Sequence, residues 1–124
     1  MASLFENIAW SESFILGWKP HTNHFILFLQ VMLTRFHPEF VEFDAKKEAG
    51  CYRLARIDFF QPKNIKGFAT IAHLPQWYEA LCEYSDVYEI EWVEIRKTSA
   101  QIEAAGTTLG LTFETAQISF GAFA

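Results

Sequence analysis

The sequence predicts an all-β domain, an antiparallel β-sandwich or partly closed barrel of about seven or eight strands with one short helix. Three features lead to this prediction. Short apolar or alternating segments are separated by turn-like residues. Most of these segments place apolar side chains at every second residue, which is the period of a strand. Aromatic residues make up 17% of the 124 residues, and 13 residues are Phe, a type that strands favour.

The most apolar segment, His24 to Phe36, is predicted to be the central strand. One face carries Phe25, Leu27, Leu29, Val31 and Leu33, and the other carries Ile26, Phe28, Gln30, Met32 and Thr34. Because both faces are largely apolar, both need cover. The second face is predicted to be covered either by a short helix near Pro75 or by a second copy of the chain, and the second possibility predicts a homodimer. A buried helix is the competing interpretation of the segment, since Leu and Met favour helices.

The other strands follow from the same alternation. They are predicted at residues 14–18, 39–43, 51–60, 65–71 (a short strand or coil), 87–97, and in a closing hairpin of residues 109–113 and 118–122. Residues 1–7 are predicted to form a short cap. The turn at residues 19–23 contains Pro20, which fixes its own φ, so the first strand and the central strand form a hairpin. Residues 44–50, 61–64 and 99–106 are predicted to be connections.

The single helix is predicted over Leu74 to Cys82. Pro75 suits a first helical position, and Trp77, Leu81 and Tyr84 recur at helical spacing. A helix of one or two turns depends on packing more than on propensity.

The segment 87–97 changes phase along its length. Tyr88, Ile90 and Trp92 share one face, but Val93 and Ile95 continue the apolar pattern on the other face. A β-bulge or a change of sheet produces a shift of this kind.

Length and charge limit the function. The 124 residues suit a single domain, residues 1–124, and the net charge of −5 disfavours binding to phosphate backbones, so no nucleic-acid partner is predicted. The chain shows no signal-peptide pattern and no apolar run of membrane-spanning length, so we expect a cytoplasmic protein without a membrane partner. Cys51 and Cys82 are then expected to be reduced and buried as small hydrophobic residues.

The sequence contains no recognised catalytic or cofactor motif. It lacks a nucleophile elbow, a phosphate loop and a dinucleotide fingerprint, so neither catalytic residues nor a cofactor are predicted. His21 and His24 are three residues apart, as some metal ligands are, and His37, His73, Asp44 or Asp58 are the candidates for a third ligand. No known metal motif links these residues. We therefore expect His21 and His24 to be exposed or capping histidines, with no metal site.

Two groups of residues are candidates for binding. The densest acidic stretch runs from Glu79 to Glu94, and its predicted partner-binding residues are Glu83, Asp86, Glu89, Glu91 and Glu94. It is either a surface for a basic partner, a carboxylate pair for acid–base chemistry, or a solvated strand face. The predicted ligand-binding residues are Trp18, Trp77 and Trp92, which line a small-ligand or carbohydrate site unless they belong to the core.

The first half of the chain resembles a loose group of small bacterial β-sandwich proteins, some of which are immunity proteins of contact-dependent toxin systems. The features that carry the resemblance are Trp10-Ser11-Glu12-Ser13 before a first strand, the apolar strand ending in His37-Pro38, and Cys51-Tyr52-Arg53 opening a strand that ends in Ile57-Asp58-Phe59. Members of that group often have His-Asp-Ser where this chain has Ser11-Glu12-Ser13. The resemblance implies a sandwich fold and an immunity-type function.

The function predicted from these observations is a non-catalytic protein-interaction module with an acidic face. The alternative is a small-ligand or carbohydrate-binding β-barrel.

Overall fold

The computed structural model describes residues 4–40, 50–67, 89–104 and 106–121. These residues contain eight strands, which are β1 Ile8–His21, β2 His24–Thr34, β3 Gly50–Phe60, β4 Lys63–Lys66, β5 Ile90–Ile95, β6 Ser99–Ala104, β7 Thr107–Thr112 and β8 Thr115–Phe120. They form two antiparallel four-stranded sheets. The first sheet has the order β1-β2-β3-β8, and the second has the order β4-β7-β6-β5. The all-β prediction is confirmed, and in the described residues the sheets do not close into a barrel.

Three predicted elements fall largely outside the described residues. The helix predicted over Leu74 to Cys82 lies outside them completely, and no helix occurs within them. Residues 41–43 of the predicted edge strand and residues 68–71 of the predicted short strand or coil also lie outside. In the part of the chain that is described, no helix is long and apolar enough to cross a membrane.

The central strand is β2, and it has the predicted alternation. Its inward residues Phe25, Leu27, Leu29, Val31 and Leu33 are at most 2% exposed and belong to a core shared by both sheets. The strand ends at Thr34, two residues before the predicted end, and Phe36 is exposed beyond it. The hairpin of β1 and β2 is also confirmed, with His21 opposite His24 across the turn.

The outward face of β2 is apolar as well and is already buried within one chain. Ile26 and Phe28 form a second cluster with Leu16, and Leu54 packs at its margin. The three buried members of this cluster are at most 7% exposed. Burial of Ile26 and Phe28 therefore does not require a second copy, and the homodimer stays a prediction that needs a different interface.

Two sequence predictions in the C-terminal half are wrong. Residues 99–106 were expected to be a loop, but Ser99–Ala104 is strand β6, whose inward residues include the weakly hydrophobic Ala100 and Ala104. The expected closing hairpin does not form, because β7 and β8 belong to different sheets. Phe113 and Glu114 instead carry the chain from one sheet to the other, and the Phe113 ring packs 4.9 Å from that of Phe59.

The buried hydroxyl of Ser13 replaces backbone hydrogen bonds where the pairing of β1 with β2 is irregular. The register of β1 against β2 shifts between Ala9 and Phe14. Ser13 lies in this interval with no exposed surface, and its Oγ donates to the Ala9 carbonyl at 2.9 Å and accepts from the Met32 amide at 3.0 Å. The side chain thus supplies hydrogen bonds that the irregular backbone does not make.

His37 fixes the segment before β1 against the end of β2. Its Nε2 donates to the Leu4 carbonyl at 2.7 Å, while Nδ1 accepts from the Glu39 amide at 3.0 Å. These two bonds assign the neutral ring with the proton on Nε2. His37 is 3% exposed and meets the Phe120 ring edge-on at 5.0 Å, so it is a satisfied core histidine.

Candidate functional site

Of the predicted acidic stretch, the structure describes Glu89, Glu91 and Glu94, which lie on and beside β5, an edge strand of the second sheet. Glu89 and Glu91 are exposed, Glu94 is half-buried, and Trp92 is 43% exposed. We call these four residues the β5 surface. In the described residues β5 has no ladder partner on its other edge; it lies in contact with β1, to which one isolated bridge, between Phe14 and Glu89, joins this region. Glu83 and Asp86, the other predicted partner-binding residues, lie outside the described residues.

A β-bulge places Trp92 on the surface. The register of β5 against β6 shifts between Ile90 and Trp92, so Ile90 is fully buried whereas Trp92 faces outward opposite Glu103. The predicted phase change is confirmed, but it occurs one residue earlier than the sequence pattern indicated. Trp92 therefore does not share the core face with Ile90, as period two alone predicted.

The β5 surface is electrostatically negative. Glu94 accepts a hydrogen bond from Arg96 Nη2 at 3.1 Å, an exposed ion pair that contributes about 0–1 kcal/mol to stability. Glu103 accepts from the Thr108 hydroxyl at 3.5 Å. Within the described residues, Glu89 and Glu91 take part in no ion pair. In the described part of the chain, Glu94 is therefore the one carboxylate of the β5 surface that an ion pair neutralises.

A polar groove continues from Glu94 across the outer face of the second sheet. It has a volume of about 320 Å³, and its lining includes Lys66, Gln101 and Thr112 around Gly110. A Cβ atom on Gly110 would lie 3.2 Å from Lys66 Cε, so the missing side chain lets the lysine stem lie across the strand.

The three predicted ligand-binding tryptophans do not form one site in the described structure. Trp18 is 7% exposed and belongs to the core between the sheets, Trp92 is on the surface, and Trp77 lies outside the described residues. The sequence prediction left out Trp10, which with Phe5 lines an open groove of about 400 Å³ that also includes Arg96 and Lys97. Nothing in the alternation around Trp10 distinguishes a groove residue from a core residue.

The outer face of the first sheet carries the most tightly bonded polar group. His24 Nε2 and Arg56 Nη2 both donate to Asp58 Oδ1 at 2.6 Å, and Arg56 Nε donates to Oδ2 at 3.0 Å. His24 also stacks on Phe60, with ring centroids 4.8 Å apart. The β2–β3 register brings these residues together, because Phe60 is opposite His24 and Asp58 is opposite Ile26.

The charges in this cluster stabilise one another. Burial alone would raise the pKa of Asp58, but the hydrogen bonds from Arg56 and His24 outweigh burial, so the pKa is lowered from its ordinary value. The hydrogen bond to Asp58 likewise raises the pKa of Arg56. Asp58 is thus a permanent anion at neutral pH whose oxygens are already occupied.

The histidines expected to be exposed or capping are adjacent but do not complete a metal site in the described residues. The rings of His21 and His24 are 5.9 Å apart across the hairpin. Asp58, one candidate for a third ligand, instead accepts hydrogen bonds from His24 and Arg56, and His37 is used in the core. No group of three His, Cys, Asp or Glu residues in the described ranges is arranged to hold a metal ion. Asp44 and His73 lie outside those ranges.

No protein-family model, curated protein or solved structure matches this chain.

Proposed function

We propose that the protein is a non-catalytic protein-binding module and that its β5 surface contacts the partner. The observation that carries this proposal is a tryptophan exposed between carboxylates on an edge strand. Tryptophan is enriched among the residues that dominate binding energy, because its large ring buries much area at low cost in conformational entropy. A bulge that turns Trp92 out of the core puts a hydrophobic residue in solvent, where a partner would bury it.

The chemistry of the surface favours a basic partner. Glu89 and Glu91 form no ion pair in the described structure, so their carboxylates are available to lysine or arginine side chains of a partner. The overall charge of −5 adds long-range attraction for such a partner. The narrower proposal, that the partner is a toxin and the protein an immunity protein, rests on the sequence resemblance alone.

The polar cluster on the first sheet supports a binding function over a catalytic one. Asp58 directs both of its oxygens at His24 and Arg56, and this satisfied arrangement is typical of a structural cluster.

Capture from a lysate of the native host tests the proposal. Three baits of equal loading are compared with wild type: Trp92→Ala, the triple variant Glu89→Gln/Glu91→Gln/Glu94→Gln, and a control triple variant Glu6→Gln/Glu39→Gln/Glu114→Gln. The control changes the net charge by the same amount at exposed positions off the β5 surface. We expect one partner to be retained by wild type and the control and to be depleted at least tenfold by the two β5 variants. A partner held equally by all four proteins, or no partner at all, would contradict the proposal.

A second candidate function is small-ligand or carbohydrate binding, and the polar groove that starts at Glu94, two residues after Trp92, favours it. Because the sheets of the described residues are not closed and their interior is packed with side chains, the ligand would bind on the outer face of the second sheet. Trp92 would provide a stacking surface, and Gln101 and Thr112 would provide hydrogen bonds. Tryptophan fluorescence titrated with a panel of sugars, with Trp92→Phe as the control, separates this function from protein binding.

A further inference from the structure

We propose that the outer edge of β8 is a self-association interface that pairs with β8 of a second copy of the chain. The four edge strands of the described sheets are β1, β8, β4 and β5. Natural proteins protect such edges with charged residues, proline or bulges, because unprotected edges pair with other chains. β8 is the one edge strand of the described structure that has none of these protections.

The other three edges are all protected. β1 contains Lys19, Pro20 and two register shifts. β4 contains Lys63 and Lys66 and a register shift, and β5 contains Glu91 and Glu94 and the bulge. β8, by contrast, has the uncharged sequence Thr-Ala-Gln-Ile-Ser-Phe and pairs with β3 in an unbroken register over all six residues.

The backbone of β8 offers hydrogen-bonding groups on its open side. The Gly121 amide donates to the Leu54 carbonyl at 3.0 Å, and this bond sets the alternation of the antiparallel ladder. Thr115, Gln117 and Ser119 therefore direct their backbone groups at β3, whereas Ala116, Ile118 and Phe120 direct theirs away from it. In the described structure no strand lies on that side of β8.

A second copy fits this edge better than a chain of opposite charge. Antiparallel pairing about a two-fold axis at Ile118 places Ile118 opposite itself, Ala116 opposite Phe120, and Gln117 opposite Ser119. The Ile118 pair and the two Ala116–Phe120 pairs direct their backbone groups at the interface and would form about six hydrogen bonds. No like charges would face each other. The same self-pairing through β5 would bring Glu91 and Glu94 towards their own copies.

In the dimer, the first sheet of one copy would join the first sheet of the other, giving one continuous sheet of twice the width. It leaves Ile26 and Phe28 where they are, buried within each chain. It also leaves the β5 surface accessible, because β5 is an edge of the other sheet. This inference does not depend on the proposed function, and either can fail without the other.

Sedimentation equilibrium of the full chain, from low to high micromolar concentration, tests it with three variants. Ala116→Pro removes an amide that points away from β3, so the ladder with β3 keeps its bonds. Gln117→Lys/Ser119→Lys places like charges opposite each other across the two-fold axis, while Gln117→Lys/Ser119→Glu places opposite charges there. Far-ultraviolet circular dichroism checks that each variant folds.

We expect wild type and the Lys/Glu variant to dimerise and the Pro and Lys/Lys variants to be at least tenfold weaker dimers. Hydrogen exchange at Ala116, Ile118 and Phe120 should slow as the wild-type concentration rises. A wild-type protein that is monomeric at every concentration would overturn the inference. A dimer that the Pro and Lys/Lys variants form with the same dissociation constant as wild type would overturn it as well.

Discussion

Substitution of Asp58 tests how much its hydrogen bonds with His24 and Arg56 stabilise the first sheet. Its carboxylate accepts three hydrogen bonds, two from Arg56 and one from His24, at 2.6–3.0 Å. Asp58→Asn keeps the shape of the side chain and removes its charge. Hydrogen bonds to charged groups contribute about 1.5–3 kcal/mol each, but the Arg56 and His24 side chains are 32% and 29% exposed, so water replaces part of what is lost. We expect the free energy of unfolding to fall by about 1–2 kcal/mol in total at neutral pH.

The lowered pKa of Asp58 determines how the stability difference between wild type and Asp58→Asn changes with pH. Because the pKa of Asp58 is lowered in the folded state, its stabilising effect is fully present above the unfolded pKa of about 3.9 and is lost as the pH falls through the folded value. The difference between wild type and Asp58→Asn should therefore shrink as the pH falls below about 4.

Urea denaturation across this pH range measures the difference, and two further variants serve as controls. Glu103→Gln neutralises a carboxylate on the other sheet and should change stability by less than about 0.5 kcal/mol. In an Arg56→Gln background, Asp58→Asn should cost clearly less than it does in wild type, because the two residues interact directly. If Asp58→Asn were as stable as wild type at neutral pH, or if the difference did not change with pH, the proposed ion cluster would not stabilise the fold.

Three further predictions test other parts of the fold. Ser13→Ala should lower the free energy of unfolding by about 1–3 kcal/mol in a urea titration, because the Met32 amide loses its acceptor; an unchanged midpoint would contradict the assigned role. Gly67→Ala should lower the melting temperature far more than Gly106→Ala. Both glycines have positive φ, but an added Cβ at Gly67 would lie 2.3 Å from the Thr108 carbonyl. Equal changes in melting temperature would refute this explanation. His37→Phe should keep the core packed but speed hydrogen exchange of the Glu39 amide, and unaltered exchange would argue against that bond.

The sequence was most informative where burial alternates strongly. β2 was predicted because apolar residues fill both of its faces over eleven positions and turn-like residues bracket it. Its partner β1 followed from the turn containing Pro20. These are local patterns, and the physical signal lies within a few residues of the element that it predicts.

The errors came from weak hydrophobicity and from non-local pairing. β6 was missed because Ala100 and Ala104 give its buried face little hydrophobic contrast. The hairpin of β7 and β8 was wrongly predicted, since a two-residue connection at Phe113 and Glu114 does not indicate whether the next strand returns to its neighbour or crosses to the other sheet. Strand partners depend on the whole fold rather than on the turn alone.

In the candidate sites, too, features set by local alternation were predictable, whereas features set by a bulge or by strand pairing were not. The exposure of Glu89 and Glu91 followed from alternation, whereas that of Trp92 depended on the exact position of a bulge. Arg56 and Asp58 are two residues apart in one strand, so alternation alone places them on the same face. Their contact with His24 required the register between β2 and β3, which no local pattern fixes.

Hydrogen–deuterium exchange of the complex with the captured partner shows whether the β5 surface binds protein. We expect exchange to slow in residues 89–95 on partner binding and to stay unchanged in β4, Lys63–Lys66, the opposite edge of the same sheet. Protection confined to the first sheet or to β4, with residues 89–95 exchanging as in the unbound protein, would contradict it.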